Sequence, residues 1–105
     1  MEDAALVRIL KALADPTRFR MVREIAAAGE LSCGQVGERF PLKQPTISHH
    51  VKILSDAGLI DVRRDGQHGF ISVNKAILSQ VLGLLPERLE GADAARPAGK
   101  GKRRG

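Results

Sequence analysis

The chain has 105 residues, 43% hydrophobic and 28% charged, which suits one small globular domain and argues against a disordered or fibrous protein. No run nears the roughly 18 consecutive apolar residues of a membrane span, and the acidic start Met1-Glu2-Asp3 lacks the basic and apolar segments of a secretory signal. The formal charge of +5 is unevenly placed. Residues 1–90 carry 12 Lys+Arg and 11 Asp+Glu, while residues 91–105 carry Arg96, Lys100, Lys102, Arg103 and Arg104 against Asp93. Bulk charge therefore gives the first 90 residues no case for nucleic-acid binding, and the case must come from how their charges are arranged. The single Cys33 forms no disulfide and no multi-cysteine zinc site within one chain. A cytoplasmic location is the expectation.

The predicted elements run as follows. Residues 4–14 place Leu6, Ile9, Leu10 and Leu13 at i, i+3, i+4 and i+7, one helical face. Asp15-Pro16 starts a second helix, since Asp caps and Pro suits the first helical position. That helix carries Phe19, Val22, Ile25 and Ala26 inward and ends at Gly29. Ser32-Cys33-Gly34-Gln35 has the form of a capping box and opens a short third helix with Val36 and Phe40 inward, closed by Pro41. A fourth helix runs from about Gln44 to Ala57 and stops at Gly58. Ile60 to Arg64 read as a strand, Asp65 to Gly69 as a loop, and Phe70 to Val73 as the returning strand. A fifth helix starts near Lys75, with Pro86 expected to kink or end it. Residues 91–105, rich in Gly, Ala, Pro and basic side chains, read as a disordered basic tail after a domain spanning 1–90. The order α-α-α-α-β-β-α is mainly α with a small β-hairpin, an α+β winged helix-turn-helix.

The fourth helix divides cleanly at 100° per residue. Ile47, His50, Val51 and Leu54 face the core. Pro45, Ser48, His49 and Lys52 face outward, with Thr46 at the flank and Gln44 at the exposed first turn. A helix entering a DNA major groove needs this short, polar, mildly basic face: Gln44 can pair bidentately with adenine, and Thr46, Ser48 and His49 can bond bases or phosphates. Such faces are also common on ordinary solvated helices. The hairpin shifts the balance, because Arg63, Arg64 and His68 lie in or beside it, as in a wing that contacts phosphates or the minor groove.

Five strings, in the right order, resemble the ArsR/SmtB family of bacterial winged-helix repressors. They are Leu13-Ala14-Asp15-Pro16-Thr17-Arg18, Gly29-Glu30-Leu31-Ser32, Gln44 through Leu54, Ala57-Gly58-Leu59-Ile60 and Arg64-Asp65-Gly66. The resemblance covers residues 5–90 and implies a cytoplasmic homodimer that binds double-stranded operator DNA and leaves it when an effector binds. It implies DNA contacts at Gln44, Thr46, Ser48 and His49, and at Arg64 and His68 of the wing. The family's metal sites are not reproduced. Where its thiolate site has Glu-Leu-Cys-x-Cys, this chain has Glu30-Leu31-Ser32-Cys33-Gly34, and the four positions of its second site fall at Asn74, Ala76, Glu87 and Glu90. No metal and no cofactor is expected, and the effector is left unidentified.

A homodimer is expected on physical grounds as well. Leu6, Ile9, Leu10 and Leu13 of the first helix and Leu78, Val81, Leu82 and Leu85 of the last offer more apolar surface than one small core covers. Cys33 at the first turn of a helix admits a redox role, although a small buried packing residue is the commoner use of a free cysteine. No catalytic constellation is present and no enzyme is expected. Two alternatives stay open: a winged-helix protein-interaction module, and a repressor that senses redox state through Cys33. A third possibility is non-specific nucleic-acid binding driven by the tail.

Overall fold

Capping chemistry sets most element boundaries in the computed structural model, which describes residues 1–91. Helix α1 (Asp3–Leu13) gives way to α2 (Pro16–Ala28) through Asp15, whose carboxylate accepts the Arg18 backbone N–H at 3.0 Å with Pro16 at the first position. Gly29 closes α2 at φ +84°, a backbone conformation that costs any side-chain-bearing residue. Strand β1 (Leu31–Ser32) runs straight into α3 (Cys33–Arg39). Ser32 and Gln35 cap α3 reciprocally: the Gln35 N–H donates to Ser32 Oγ at 3.1 Å, and the Ser32 N–H donates to Gln35 Oε1 at 2.8 Å. Phe40, held extended before Pro41, ends α3.

Helix α4 (Gln44–Asp56) ends in a Schellman motif. Leu59 N–H donates to the Leu54 carbonyl at 3.0 Å and Gly58 N–H to that of Ser55 at 2.9 Å, with Gly58 at φ +84°. The hydrophobic partners of the motif, Leu54 and Leu59, are both fully buried. This closure fixes the angle at which β2 (Ile60–Asp65) leaves the helix. Strand β3 (His68–Val73) returns antiparallel, and the sheet order is β1-β3-β2.

Residues Met1–Lys75 form one compact unit. Its core joins Leu6, Ile9 and Ala12 of α1 to Met21, Val22 and Ile25 of α2, Val36 of α3, Ile47 and Leu54 of α4, and Ile60, Ile71 and Val73 of the sheet. Helix α4 packs on α1, α2, α3 and β2. A second unit begins at Ala76 and contains the rest of α5 (Lys75–Glu90). On α5, Val81 is buried while Leu82 and Leu89 are 73% and 78% exposed.

Three expectations need correction. The sheet has a third strand, β1, pairing Leu31 with Ile71 and Ser32 with Phe70. The hairpin is tighter than expected: Asp65 pairs with His68 and Arg64 with Gly69, leaving only Gly66 and Gln67 in the turn. Gly66 has φ +64° and Gln67 does not have a positive φ, the pattern of a type II′ hairpin. Phe19 is not inward but 54% exposed. The inward stripe of α2 is Arg18, Met21, Val22 and Ile25, so a half-buried arginine holds the first-turn position next to Phe19. Of the two outcomes expected at Pro86, a kink or an end, the helix does not end, since α5 continues to Glu90. The expected disordered tail lies outside the described residues except for Gly91.

Candidate nucleic-acid interface

Helix α4 is held from behind by one arginine. Arg18 Nε donates to the Ala12 carbonyl at 2.7 Å, Nη2 to the Lys11 carbonyl at 3.5 Å, and Nη1 to Nδ1 of His50 at 3.2 Å. A guanidinium can only donate, so in this contact His50 Nδ1 takes the acceptor role. The cation also lies against the last carbonyls of α1, where the helix dipole favours it. Thus His50 ties α4 to the α1–α2 corner, while Ile47 and Leu54 seat it in the core.

The opposite face of α4 is exposed along its length: Gln44, Thr46, Ser48, His49 and Lys52. Gln44 Nε2 reaches Ser48 Oγ at 3.4 Å, one turn on, so these two present a joined amide and hydroxyl edge. Lys52 pairs with Asp56 at 3.1 Å, both well exposed, a contact worth little in water. Lys43 stands at the cap position without a side-chain bond to the helix, and Pro45 brings no N–H.

The wing splits its basic residues between two faces. Side chains alternate along a strand, and cross-strand partners share a face. Arg63 therefore sits with Phe70, and Asp65 with His68, on one face. Arg64 sits with Gly69 on the other. Arg63 is engaged within the fold: Nη2 pairs with Glu30 at 3.1 Å and its guanidinium lies 4.6 Å from the Phe70 ring centroid. His68 stands beside the same ring, 6.4 Å between centroids.

Arg64 faces α4. It joins Val62, Ile71, Cys33, Val36 and α4 side chains from Gln44 to Asp56 around a groove between helix and hairpin. Gly69 makes room for it: a Cβ there would stand 2.9 Å from Cys33 Sγ and 3.5 Å from Arg64 Nη1. Among the described residues Arg64 makes no ion pair. The structure thus brings Gln44, Ser48, Lys52 and Arg64 around one groove and leaves Arg63 and His68 on the far side of the hairpin. Sequence reasoning passed over Arg18 and Gly69; a glycine inside a strand is itself the mark of a close approach.

Of the apolar side chains expected at a dimer contact, Leu6, Ile9 and Val81 are already buried within the chain. Leu10, Leu13, Leu78 and Leu85 are half-buried, and Leu82 is exposed. Ser32 caps α3, Cys33 is half-buried and Gly34 exposed. Among the described residues, no three or more His, Cys, Asp or Glu side chains stand together as a metal site, and no helix is long and apolar enough to cross a membrane.

Among the described residues, two carboxylates titrate below their ordinary range. The Arg18 backbone N–H at the head of α2 holds Asp15 down. The guanidiniums of Arg20 and Arg39, at 2.7 and 3.3 Å, hold Glu24 down.

Residues 13–63 match the helix-turn-helix domain family. The transcriptional repressor SdpR of Bacillus subtilis is 37% identical over 70 residues, 67% of this chain and 77% of that one. The arsenical resistance operon repressor of Staphylococcus aureus is 38% identical over 82 residues, 78% of each. The crystal structure of an ArsR family transcriptional regulator superposes with a TM-score of 0.75 at 26% identity, covering 86% of this chain and 92% of that one. With its helix pair, tight hairpin and polar α4 face, the chain belongs to the ArsR family of winged helix-turn-helix, DNA-binding transcriptional regulators.

Proposed function

We propose that this regulator is a repressor that binds an inverted-repeat operator as a homodimer in the cytoplasm and has no catalytic activity. The observation that carries this reading is the exposed edge of α4, where Gln44 and Ser48 are joined at 3.4 Å and no acidic side chain intervenes before Asp56. Gln44, Thr46, Ser48 and His49 read base edges, and Lys52 and Arg64 meet phosphates. His68 reaches phosphate from the outer face of the wing, and Arg63 stiffens that wing through Glu30 and Phe70. The exposed Leu82 and Leu89 of α5 and Val7 of α1 support a contact with a second copy. Metal ions are not the signal, because the thiolate string is reduced to Ser32, Cys33 and Gly34.

Selection of bound sequences from a random duplex pool tests the reading. The expected product is an inverted repeat with half-sites about one helical turn apart. Recovery of no motif, with binding that disappears at moderate salt, contradicts it. Light scattering tests the dimer, and a stable monomer at micromolar concentration contradicts that part.

A further inference from the structure

The groove between α4 and the hairpin has features that DNA contact does not use. Its volume is about 410 Å³, within the range of sites that take small organic molecules. The half-buried Val51 and the more open Val62 form its apolar wall, over a floor of the buried Val36, Ile47 and Ile71. Val62 is 38% exposed there although it is a strand valine next to the core. Sugar-phosphate has no use for such a wall, whereas a hydrocarbon or aromatic body does.

The charges at the mouth are unbalanced. Lys52 is matched by Asp56 at 3.1 Å, and Arg64 is matched by nothing among the described residues. Gly69 lets the guanidinium lie back against β3 beside Cys33. A planar guanidinium with one side against protein suits a carboxylate or sulfonate.

We infer that this groove binds a small amphipathic organic anion, its apolar body against Val51 and Val62 and its acid group on Arg64, and that the bound anion excludes DNA. Exclusion follows because Gln44, Ser48 and Arg64 both border the groove and face the operator. That half rests on the DNA-contact reading proposed above; the binding itself does not.

The test titrates the full chain, without DNA, with 1-anilinonaphthalene-8-sulfonate and separately with its uncharged analogue N-phenyl-1-naphthylamine. Fluorescence gives affinity, and amide shifts in a ¹⁵N–¹H spectrum give position. The expected result is saturable binding of one sulfonate per chain, with the largest shifts at Val51, Val62 and Ile71. Arg64→Gln should weaken the sulfonate about ten-fold and leave the neutral analogue unchanged. Val62→Glu, which sets a carboxylate in the wall at a partly exposed position, should abolish sulfonate binding while circular dichroism shows the fold retained. No saturable binding, shifts centred elsewhere, or indifference to both substitutions overturns the inference.

A second arm adds labelled operator to the wild-type chain, where the sulfonate should displace it. Retention of operator with the groove filled overturns the exclusion. A chain that binds the sulfonate in the groove but binds no operator under any condition upholds the site and refutes the DNA-contact reading instead.

Discussion

Arg63 and Arg64 are neighbours in one strand and have opposite surroundings. Arg63 faces Glu30 and Phe70, so its charge is paired at the surface of the wing. Arg64 faces the α4 groove with no carboxylate partner among the described residues, over a glycine that clears its path. A sequence shows two adjacent cations beside a turn. The two-residue period of the strand turns them into a brace for the wing and a charge facing the α4 groove. The difference teaches that the count of basic residues in a wing says little until each is assigned a face.

The first way to break the comparison is to remove what supports the free side. Arg18→Met deletes three donors, two to α1 carbonyls and one to His50, the last of which ties α4 to the α1–α2 corner. Thermal or urea unfolding should show a loss of about 2–4 kcal/mol, and operator affinity should fall with it. Gly69→Val should cost about 1–3 kcal/mol, because a Cβ at 2.9 Å from Cys33 Sγ forces that thiol and Arg64 aside. An unchanged melting curve would show that the Arg64 face is not tightly set.

Gln44→Ala tests the reading edge. It should cost about 1–3 kcal/mol on the matched operator and relax preference at one position of each half-site. Equal loss on matched and mismatched operators would place Gln44 among phosphate contacts.

Acid gives a smaller effect with a defined sign. Asp15 and Glu24 titrate in the folded chain below their ordinary values of 3.8 and 4.5. The unfolded chain therefore takes up protons first as pH falls, so their contribution is complete above about pH 4.5 and is lost progressively below it. Unfolding measured across pH 2–6 should show stability falling toward acid, and Asp15→Asn should flatten that slope.

Much of this was legible in residue pattern. The Asp15-Pro16 start, the Ser32–Gln35 box and the Gly58 stop are local chemistry, and all three stand in the structure. The polar face of α4 follows from a 100° rotation. What escaped was long-range. Strand β1 has two residues, too few for a period, and Ser32 doubles as the cap of α3. The hairpin loop was overextended because Gly69 reads as a turn residue, whereas it is a strand residue placed for a close approach. Phe19 continues the helical spacing of Val22, Ile25 and Ala26, yet the half-buried Arg18 beside it is the residue that turns in. Pairings such as Arg18 with His50 and Arg63 with Glu30 span 32 and 33 positions, and no local signal carries them.

The contrast between the two arginines can be measured directly. Operator affinity of the wild type, Arg63→Ala and Arg64→Ala would be followed over a series of salt concentrations. Arg64→Ala should lower affinity for every sequence and reduce the salt slope of the dimer by about two, because one fewer phosphate is neutralised in each of the two half-sites. Arg63→Ala should leave the slope unchanged and lower stability by no more than about 1 kcal/mol, as expected for an exposed ion pair. A reduced slope for Arg63→Ala with an unchanged one for Arg64→Ala would contradict the assignment of the two faces.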